Sequence, residues 1–388
     1  MPLYGYMGYV PNTASSTDTS MAGIFGSATA SNAAAQSTTQ GDITNDRQLS
    51  DPPDDSISAV KFSPNANFLA LSSWNKQMSI YQIMDDGSSA GKARYEFNGP
   101  VLSTQWSKDG TKLFGGAADN TARMVDLAAN ITSGPGTTVG GHDQPIRCIE
   151  TMEHNGSPML ITGSWDKTIK YWDLRQQTPA ATVQCKDRVY SMSLRKQLLA
   201  VACADRWIEM INLNDPGKSA RTIQSPLKWQ TRVVSCFQGG QTGDGEGFAI
   251  GSIEGRCAIQ YVDDKQSSNN FSFKCHRQNI QNQRDAANVY PVNAISFHPE
   301  HGTFSTAGSD GTFHFWDKDA KHRLKGYPEV GGTISATDFN HTGTIFAYAV
   351  TYDWSKGYAH NTPQYPNKVM LHPIQPDECK PRPTNKKR

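Results

Sequence analysis

Short apolar runs recur along the chain, and clusters of turn-forming residues separate them. Runs such as "FLALSS", "KLFGGA", "MLITGS", "LLAVACA" and "GFAIGS" have the length and composition of β-strands buried in a sheet. The 33 glycines and 21 prolines are scattered between the short runs, as expected of a chain rich in turns rather than long helices. The pattern predicts an all-β fold of many short strands.

A longer period groups these strands into repeated units. In each clear unit an acidic or amide turn residue is followed six positions later by a residue of the next strand. The clearest pairs are Asp166 with Trp172, Asp310 with Trp316, and Asp119 with Val125. Weaker copies have Asn75, Asp205 and Glu254 in the turn, and a seventh, more divergent unit runs from "ISATDFNHTGTIFAYAV" to "KVMLHPI".

Units of roughly 40 to 55 residues with several strands each are typical of WD-type β-propeller blades. The sequence therefore predicts a seven-bladed WD40 propeller over residues 43–375, preceded by an extension (1–42) and followed by a basic tail (376–388). The segment "DRQLSDPP" is expected to supply the outer strand of the last blade, because a ring must close. Two β-sandwiches are the alternative arrangement.

Several residues of the third unit are expected to have structural roles. We predict that Trp172 packs between blades and that its indole N–H is linked in series with His142, Ser164 and Asp166. Asp310 and Trp316 occupy the matching positions of the sixth unit. His142 is thus interpreted as a satisfied structural histidine, not a catalytic one.

Composition argues against several function classes. The formal net charge is +1, so the whole protein lacks the positive field that drives strong binding to nucleic acid or to an anionic membrane. No apolar run of about 18 residues and no signal peptide is present, which indicates a soluble, intracellular chain that binds no membrane. The seven cysteines are odd in number and widely spaced, so they are expected to be reduced thiols without a metal.

Motifs of catalysis are missing as well. The chain contains no nucleophile elbow, P-loop or zinc-protease helix. The loop "GGQTGDGEG" (239–247) lacks the Lys-Ser/Thr and the following helix that a phosphate cradle needs. We expect neither an enzyme nor a cofactor.

The two ends of the chain differ from the units. Residues 1–42 are dominated by Ser, Thr, Ala and Gly and are expected to be disordered, with one weak FG motif at Phe25 and Gly26. The tail "DECKPRPTNKKR" is basic and broken by prolines. A solvated terminus is its simplest interpretation, with nuclear targeting or RNA contact as the alternative.

One position of the aligned units suggests a binding site for a partner. The residue before the turn Asp or Asn is large and aromatic in only two units, at Trp74 and Trp165. Such turns open on the upper face of a propeller, where exposed aromatics are binding hot spots, although packing is the alternative. Lys228, Trp229 and Arg232 enter the fifth unit on the same face, and cations beside aromatics suit an acidic, partly apolar peptide.

Two stretches concentrate positive charge. "KCHRQNIQNQR" carries Lys274, His276, Arg277 and Arg284, and "WDKDAKHRLK" carries Lys318, Lys321, His322, Arg323 and Lys325. We expect weak, salt-sensitive RNA contact through Lys274, Arg277, Lys321, Arg323 and Lys325. A solvated charged rim remains the alternative.

Long strings of the chain resemble a known family. "GSWDKTIKYWD", "SPLKWQTR", "FSFKCHR" and "VNAISFHPEHGTFSTAGSDGTFHFWDKDA" are similar to the poly(A) mRNA export factors of the nuclear pore, the Rae-one or Gle-two type, from about residue 50 to the C-terminus. The resemblance implies a seven-bladed propeller that binds a GLEBS segment of an FG nucleoporin, supports mRNA export in the nucleus and at the nuclear envelope, and is linked to mitotic spindle components.

The related Bub-three family binds similar segments in checkpoint kinases, so a kinetochore adaptor is the alternative function. Trp74, Trp165 and Arg232 match the positions with which both families hold the peptide and its acidic pair. The low-complexity extension and the "YDWSKG" string with the basic tail favour the export family. Trp229 and the longer 239–247 loop depart from the pattern.

Overall fold

The described part of the chain is a ring of antiparallel sheets. The computed structural model describes residues 39–154, 156–237, 245–281, 283 and 286–381. Their strands form seven sheets that contain four principal strands each, and the innermost strand of every sheet contacts the innermost strand of the next all the way round. The predicted all-β, seven-bladed WD40 propeller is therefore confirmed.

The chain enters the ring with β1 (Arg47–Gln48). Blade 1 then contains β2 (Ile57–Phe62), β3 (Phe68–Ser73), β4 (Gln77–Ile83) and β5 (Ser89–Glu96). Blade 2 begins with β6 (Val101–Trp106), β7 (Lys112–Ala117) and β8 (Thr121–Asp126). The short β9 (Ser133–Gly134) crosses back to pair in parallel with β5. Strand β10 (Thr137–Gly141) completes blade 2.

The middle of the ring is regular. Blade 3 contains β11 (Ile146–His154), β12 (Ser157–Ser164), β13 (Thr168–Asp173) and β14 (Ala181–Gln184). Blade 4 contains β15 (Val189–Arg195), β16 (Leu198–Cys203), β17 (Trp207–Asn212) and β18 (Arg221–Gln224). Blade 5 contains β19 (Thr231–Phe237), β20 (Gly247–Ser252), β21 (Arg256–Tyr261) and β22 (Phe271–Lys274).

A two-stranded hairpin, β23 (Arg277–Asn279) with β24 (Ala287–Val289), is inserted before blade 6. Blade 6 contains β25 (Val292–Phe297), β26 (Phe304–Gly308), β27 (Phe313–Asp317) and β28 (His322–Gly326). Blade 7 contains β29 (Ile334–Phe339), β30 (Ile345–Val350) and β31 (Lys368–Pro373). Within the described residues, four short 3-10 helices lie in connections, at Leu127–Ala129, Ala204–Arg206, Asp264–Asn269 and Tyr358–His360. None of the described helices is long and apolar enough to cross a membrane.

The ring closes where its two ends meet. Strand β1 pairs antiparallel with β31, with Arg47 opposite Leu371, so the segment before blade 1 supplies the outer strand of blade 7 as predicted. The Asp46 carboxylate lies 2.6 Å from His372 Nδ1, and Glu378 lies 3.2 Å from Nε2 of the same ring. The Tyr348 hydroxyl donates to the second Asp46 oxygen at 2.6 Å. A buried ionic cluster thus joins the entering strand to blade 7.

The packed ring is slightly longer than the predicted 43–375. Glu378 and Cys379 are buried, and the Thr303 hydroxyl donates to the Cys379 carbonyl at 2.7 Å. At the other end, the Gly41 N–H donates to the carbonyl of Gly326 at 2.9 Å. The predictions for residues 1–38, for residues 382–388 and for most of the 239–247 loop lie outside the described residues.

Interfaces between blades are apolar, and Trp172 shows how tightly they pack. Its ring lies with Phe114 of blade 2 and Leu160 of blade 3 in one buried cluster. A Cβ added at Gly140 on β10 would come within 2.4 Å of the indole, so only glycine lets the outer strand of blade 2 pass over it. The predicted position of Trp172 between blades is correct.

The hydrogen-bond series of blade 3 differs from the prediction at one residue. His142 is held by Asp166 at 2.8 Å through Nδ1 and by the Thr162 hydroxyl at 2.7 Å through Nε2. The indole N–H of Trp172 donates to that same hydroxyl at 2.8 Å. Ser164 instead donates to the Gln144 carbonyl.

The strand register explains this correction. Trp172 lies opposite Leu160, so its diagonal neighbour on the same face is Thr162, while Ser164 lies one more pair away along the strand. Blade 6 repeats the arrangement, because His276 contacts Asp310 at 2.8 Å and Thr306 at 2.9 Å, and the Trp316 indole donates to Thr306 at 2.9 Å. His276 is therefore a buried structural residue and not part of a basic surface.

A double-mutant cycle tests whether the hydroxyl of Thr162 or that of Ser164 accepts the hydrogen bond of the Trp172 indole. We expect Thr162→Val and Trp172→Phe to show a coupling of about 1 kcal/mol in the free energy of unfolding, since each removes one side of the same buried hydrogen bond. Ser164→Ala with Trp172→Phe serves as the control and is expected to add independently. Equal coupling for both hydroxyls, measured by urea unfolding, would contradict the assigned series.

The ionic cluster of Asp46, His372 and Glu378 predicts that the stability of the fold depends on pH. Burial would lower the pKa of His372, but its hydrogen bonds to Asp46 and Glu378 and their charges raise that pKa from 6.5 to about 9. Because the folded pKa is the higher one, the protonated ring stabilises the fold fully below about pH 6.5, and this contribution is lost as the pH rises through about 9. It amounts to about 3 kcal/mol.

We therefore expect the urea midpoint of the protein to fall between about pH 6.5 and pH 9, and the His372→Gln variant to lose most of that slope. The measurement is urea unfolding in buffers across this range. Parallel curves for the two proteins would show that His372 does not carry the effect.

Candidate partner-binding site

A β-bulge recurs at the same place in every blade. The pairing of each innermost strand with the second strand shifts by one residue, and the skipped residue is always the second one of the innermost strand. A bulge leaves one side chain out of the ladder and re-aims it. These residues are Ser58, Leu102, Arg147, Tyr190, Arg232, Asn293 and Ser335.

Six of these bulge residues line one cavity on the upper face, the face on which the innermost strands begin. Asn293 is the exception. The turns that follow second strands complete the lining with Trp74, Trp165 and Trp354. We call this cavity, with its bulge residues and three tryptophans, the mouth. Its volume of about 210 Å³ is smaller than that of most small-molecule sites, so it fits side chains of a protein segment better than a cofactor.

Three tryptophans line the mouth. Trp74 of blade 1 stacks on Trp354 of blade 7, with ring centroids 4.4 Å apart and an interplanar angle of 27°. Trp165 of blade 3 is 37% exposed. Trp354 has a φ of 60°, in the left-handed region that bulky residues seldom adopt. Such strain is found where the surroundings hold a side chain in place, often at a functional site.

Two arginines also line the mouth. The Arg232 guanidinium donates to the backbone carbonyl of Asp353 at 3.2 Å, and Arg147 donates to the carbonyl of Leu102 at 3.1 Å. Arg147 forms no salt bridge with a carboxylate within 4.0 Å in the described part of the chain. Its guanidinium group can therefore offer its charge to an acidic ligand.

Asp353 holds the loop that carries Trp354. Burial would raise the pKa of its carboxyl, but hydrogen bonds from Ser309 and Ser355 and the charge of Arg232 keep that pKa below the ordinary value. The carboxylate is therefore ionised at neutral pH. It ties the loop that carries Trp354 to Ser309 of blade 6.

The structure brings together three of the five residues predicted for peptide binding. Trp74, Trp165 and Arg232 all line the mouth. Lys228 and Trp229 are exposed in the loop before β19 and lie outside the cavity lining, whereas their neighbour Gln230 is part of it. They flank the mouth instead of forming it.

Sequence reasoning missed Arg147, Tyr190 and Trp354. Arg147 and Tyr190 occupy the bulge position of Arg232 in blades 3 and 4, so an alignment on the start of each innermost strand would have found them. Trp354 belongs to the most divergent unit, in which a long insertion separates β30 from β31. Its string "YDWSKG" contributed only to the family resemblance.

Comparison with known proteins agrees with this architecture. The profile described as "WD domain, G-beta repeat" matches residues 47–82, 134–173 and 284–317. The "mRNA export factor GLE2" of Chaetomium thermophilum is 59% identical over 95% of this chain and 100% of its own length. The "Poly(A)+ RNA export protein" of Schizosaccharomyces pombe is 54% identical over 93% of this chain and 98% of its own.

A more distant animal relative, "Protein Rae1" of Drosophila melanogaster, is 39% identical over 87% of this chain and 96% of its own length. The chain belongs to this family of WD40 mRNA export factors. The predicted resemblance is confirmed. These relatives are named as export factors and not as enzymes.

In this export factor four of the residues predicted to contact RNA lie on or next to the outer strands of blades 5 and 6, and Arg277 lies on the inserted hairpin. Lys274 is exposed at the end of β22, and Arg323 is exposed on β28. The Lys321 ammonium lies 5.1 Å from the ring centre of Phe271, which joins the two blades. Lys325 lies 3.4 Å from Asp377, and Arg277 donates to the Glu254 carbonyl at 2.8 Å.

Parts of the basic stretches are not available to a ligand. The side chain of Lys318 is fully buried, with its ammonium 5.1 Å from the ring centre of Phe237 and paired to Asp319. His276 is buried in the hydrogen-bond series of blade 6. Arg284 lies outside the described residues. The sequence predicts too large a basic surface. The hairpin inserted after His276 separates this residue from the innermost strand of blade 6, so the repeat pattern does not show that His276 takes the structural position of His142.

Proposed function

We propose that this export factor is a non-enzymatic adaptor of the nuclear pore that binds a GLEBS-type segment of an FG nucleoporin in the mouth. Its place of action would be the nucleus and the nuclear envelope, in keeping with the export function in the names of its relatives. The observation that carries the proposal is the meeting of Trp74, Trp165 and Arg232, far apart in the sequence, at one cavity.

The chemistry of the mouth suits such a segment. Aromatic faces at Trp74 and Trp165 can cover an apolar side chain, and aromatic residues and arginines are the commonest binding hot spots. Arg232 can hold a carboxylate bidentately, and Arg147 in the same cavity lining can hold a second acidic group. A partner with neighbouring acidic and apolar residues therefore fits the arginines and the tryptophans at once.

Charge reversal at Arg232 tests this assignment. We expect Arg232→Glu to abolish binding of a GLEBS-type peptide, because it strands the peptide carboxylates against a like charge in a partly desolvated setting. Trp165→Ala is expected to weaken binding by roughly 2 kcal/mol, or about 30-fold in Kd. The measurement is calorimetric titration, with thermal melts to show that each variant is folded.

Two matched variants sharpen the result. Lys92→Glu reverses an exposed charge on the outer strand of blade 1 and is expected to leave Kd unchanged. Trp229→Ala removes an indole that is 53% exposed beside the mouth. Any loss of peptide affinity in this variant measures how far the site extends beyond the mouth. Full affinity in folded Arg232→Glu protein would place the peptide elsewhere.

The proposal includes a weak contact with RNA along the outer strands of blades 5 and 6. Lys274, Lys321 and Arg323 offer charge there, and the Lys321 ammonium lies over the aromatic ring of Phe271. Because Lys325 and Arg277 already have protein partners, the free charge is small. Such a surface would bind RNA without sequence preference and would gain affinity when the nucleoporin adds its own contacts.

We expect the Lys274→Glu/Lys321→Glu double variant to bind a single-stranded RNA oligonucleotide more weakly and to lower the slope of log K against log salt by about 2. Fluorescence anisotropy across a salt series measures both. Lys92→Glu/Lys218→Glu, on blades 1 and 4, is the control. An equal loss in that control would show that general charge, not this surface, holds the RNA.

A further inference from the structure

Two thiols and a carboxylate meet inside blade 4, away from the lining of the mouth. The sulfurs of Cys185 and Cys203 and a carboxylate oxygen of Glu209 all lie within 4.8 Å of one another. The three residues are 4%, 0% and 2% exposed. All seven cysteines of the chain are free and buried, and these two are the ones grouped with a carboxylate in the described residues.

One member of this cluster stands where blades 3 and 6 carry the histidine of their hydrogen-bond series. Cys185 lies four residues before β15, as His142 lies four residues before β11. Cys203 ends β16 as Ser164 ends β12, and Glu209 is the third residue of β17 as Lys170 is the third residue of β13. Blade 4 thus has a thiol in place of the histidine, and the three residues of the cluster can each become anionic.

Glu209 is held firmly but lacks a counter-ion. One carboxylate oxygen accepts from the Lys186 N–H at 2.7 Å, and the other accepts from the Ser219 hydroxyl. No salt bridge involves Glu209 among the described residues. A buried carboxylate without a cation is costly, and two hydrogen bonds offset only part of that cost.

Bonds from an amide and a hydroxyl are the kind that orient a metal-binding carboxylate. Zinc binds cysteine sulfur and carboxylate oxygen, and thiolates favour zinc over harder divalent cations. A divalent cation between these groups would place a positive ion next to Glu209, and the two thiolates formed on binding would balance its charge. It would also tie Cys185, which follows the outer strand of blade 3, to two strands of blade 4.

We propose that Cys185, Cys203 and Glu209 form a structural binding site for a thiophilic divalent cation, with zinc as the fitting ion. Binding converts both thiols to thiolates, releases their two protons to solvent, and leaves two sulfur–metal bonds and one oxygen–metal bond. No electrons are transferred. The site is independent of the mouth and of its partner.

Metal content of the full chain tests the site directly. Protein freed of metal with a chelator is dialysed against Zn²⁺ alone and then against buffer, and zinc is measured by elemental analysis. We expect about one zinc per chain in the unmodified protein and loss of that zinc in Cys203→Ser. The control is Cys236→Ser. Cys236 is a buried cysteine of blade 5 that lies outside the cluster, so this variant is expected to retain the zinc.

Cobalt substitution covers the case in which Cys203→Ser does not fold. Co²⁺ added to the unmodified metal-free protein is expected to show sulfur-to-cobalt charge-transfer bands, which only thiolate ligation produces. Absence of retained zinc and of these bands in folded protein would overturn the proposal. The proposal would also be overturned by a disulfide between Cys185 and Cys203. Such a bond would lower the mass of the protein by two units under non-reducing conditions.

Discussion

The pairing of β1 with β31 is the contact on which the rest of the structure depends, because it turns a row of blades into a ring. Each blade buries its faces only against its neighbours, so an open row would expose an apolar face at each end. The two-residue strand is short, and the buried cluster of Asp46, His372 and Glu378 strengthens it. Closure therefore rests on charge as well as on the strand ladder.

The mouth depends on the same closure. Trp74 of blade 1 and Trp354 of blade 7 stack across the seam between the first and last blades. The Ser335 hydroxyl crosses that seam as well and donates to the Ile57 carbonyl at 2.8 Å. Six bulge residues from six blades line one cavity only because the ring fixes the angle between blades. The binding surface is thus a product of closure, not of any single blade.

Much of this was predictable, because a repeat constrains both pattern and position. The blade count, the outer strand before blade 1, and the grouping of Trp74, Trp165 and Arg232 on one face follow from aligning the units. The sequence predicts Ser164 where the structure has Thr162, because the sequence shows which residues lie near the turn but not the cross-strand register. Trp354 and His276 were missed because insertions displace them from the repeat. The burial of Lys318 depends on packing between blades 5 and 6.

The central claim is that ring closure builds the mouth. The most direct test compares two shortened proteins, one that begins at residue 39 and one that begins at residue 51, in their affinity for a GLEBS-type peptide. The first retains Asp46 and β1 and is expected to bind, whereas the second lacks both and is expected to lose binding together with cooperative unfolding. Equal affinity of the two proteins would contradict the account.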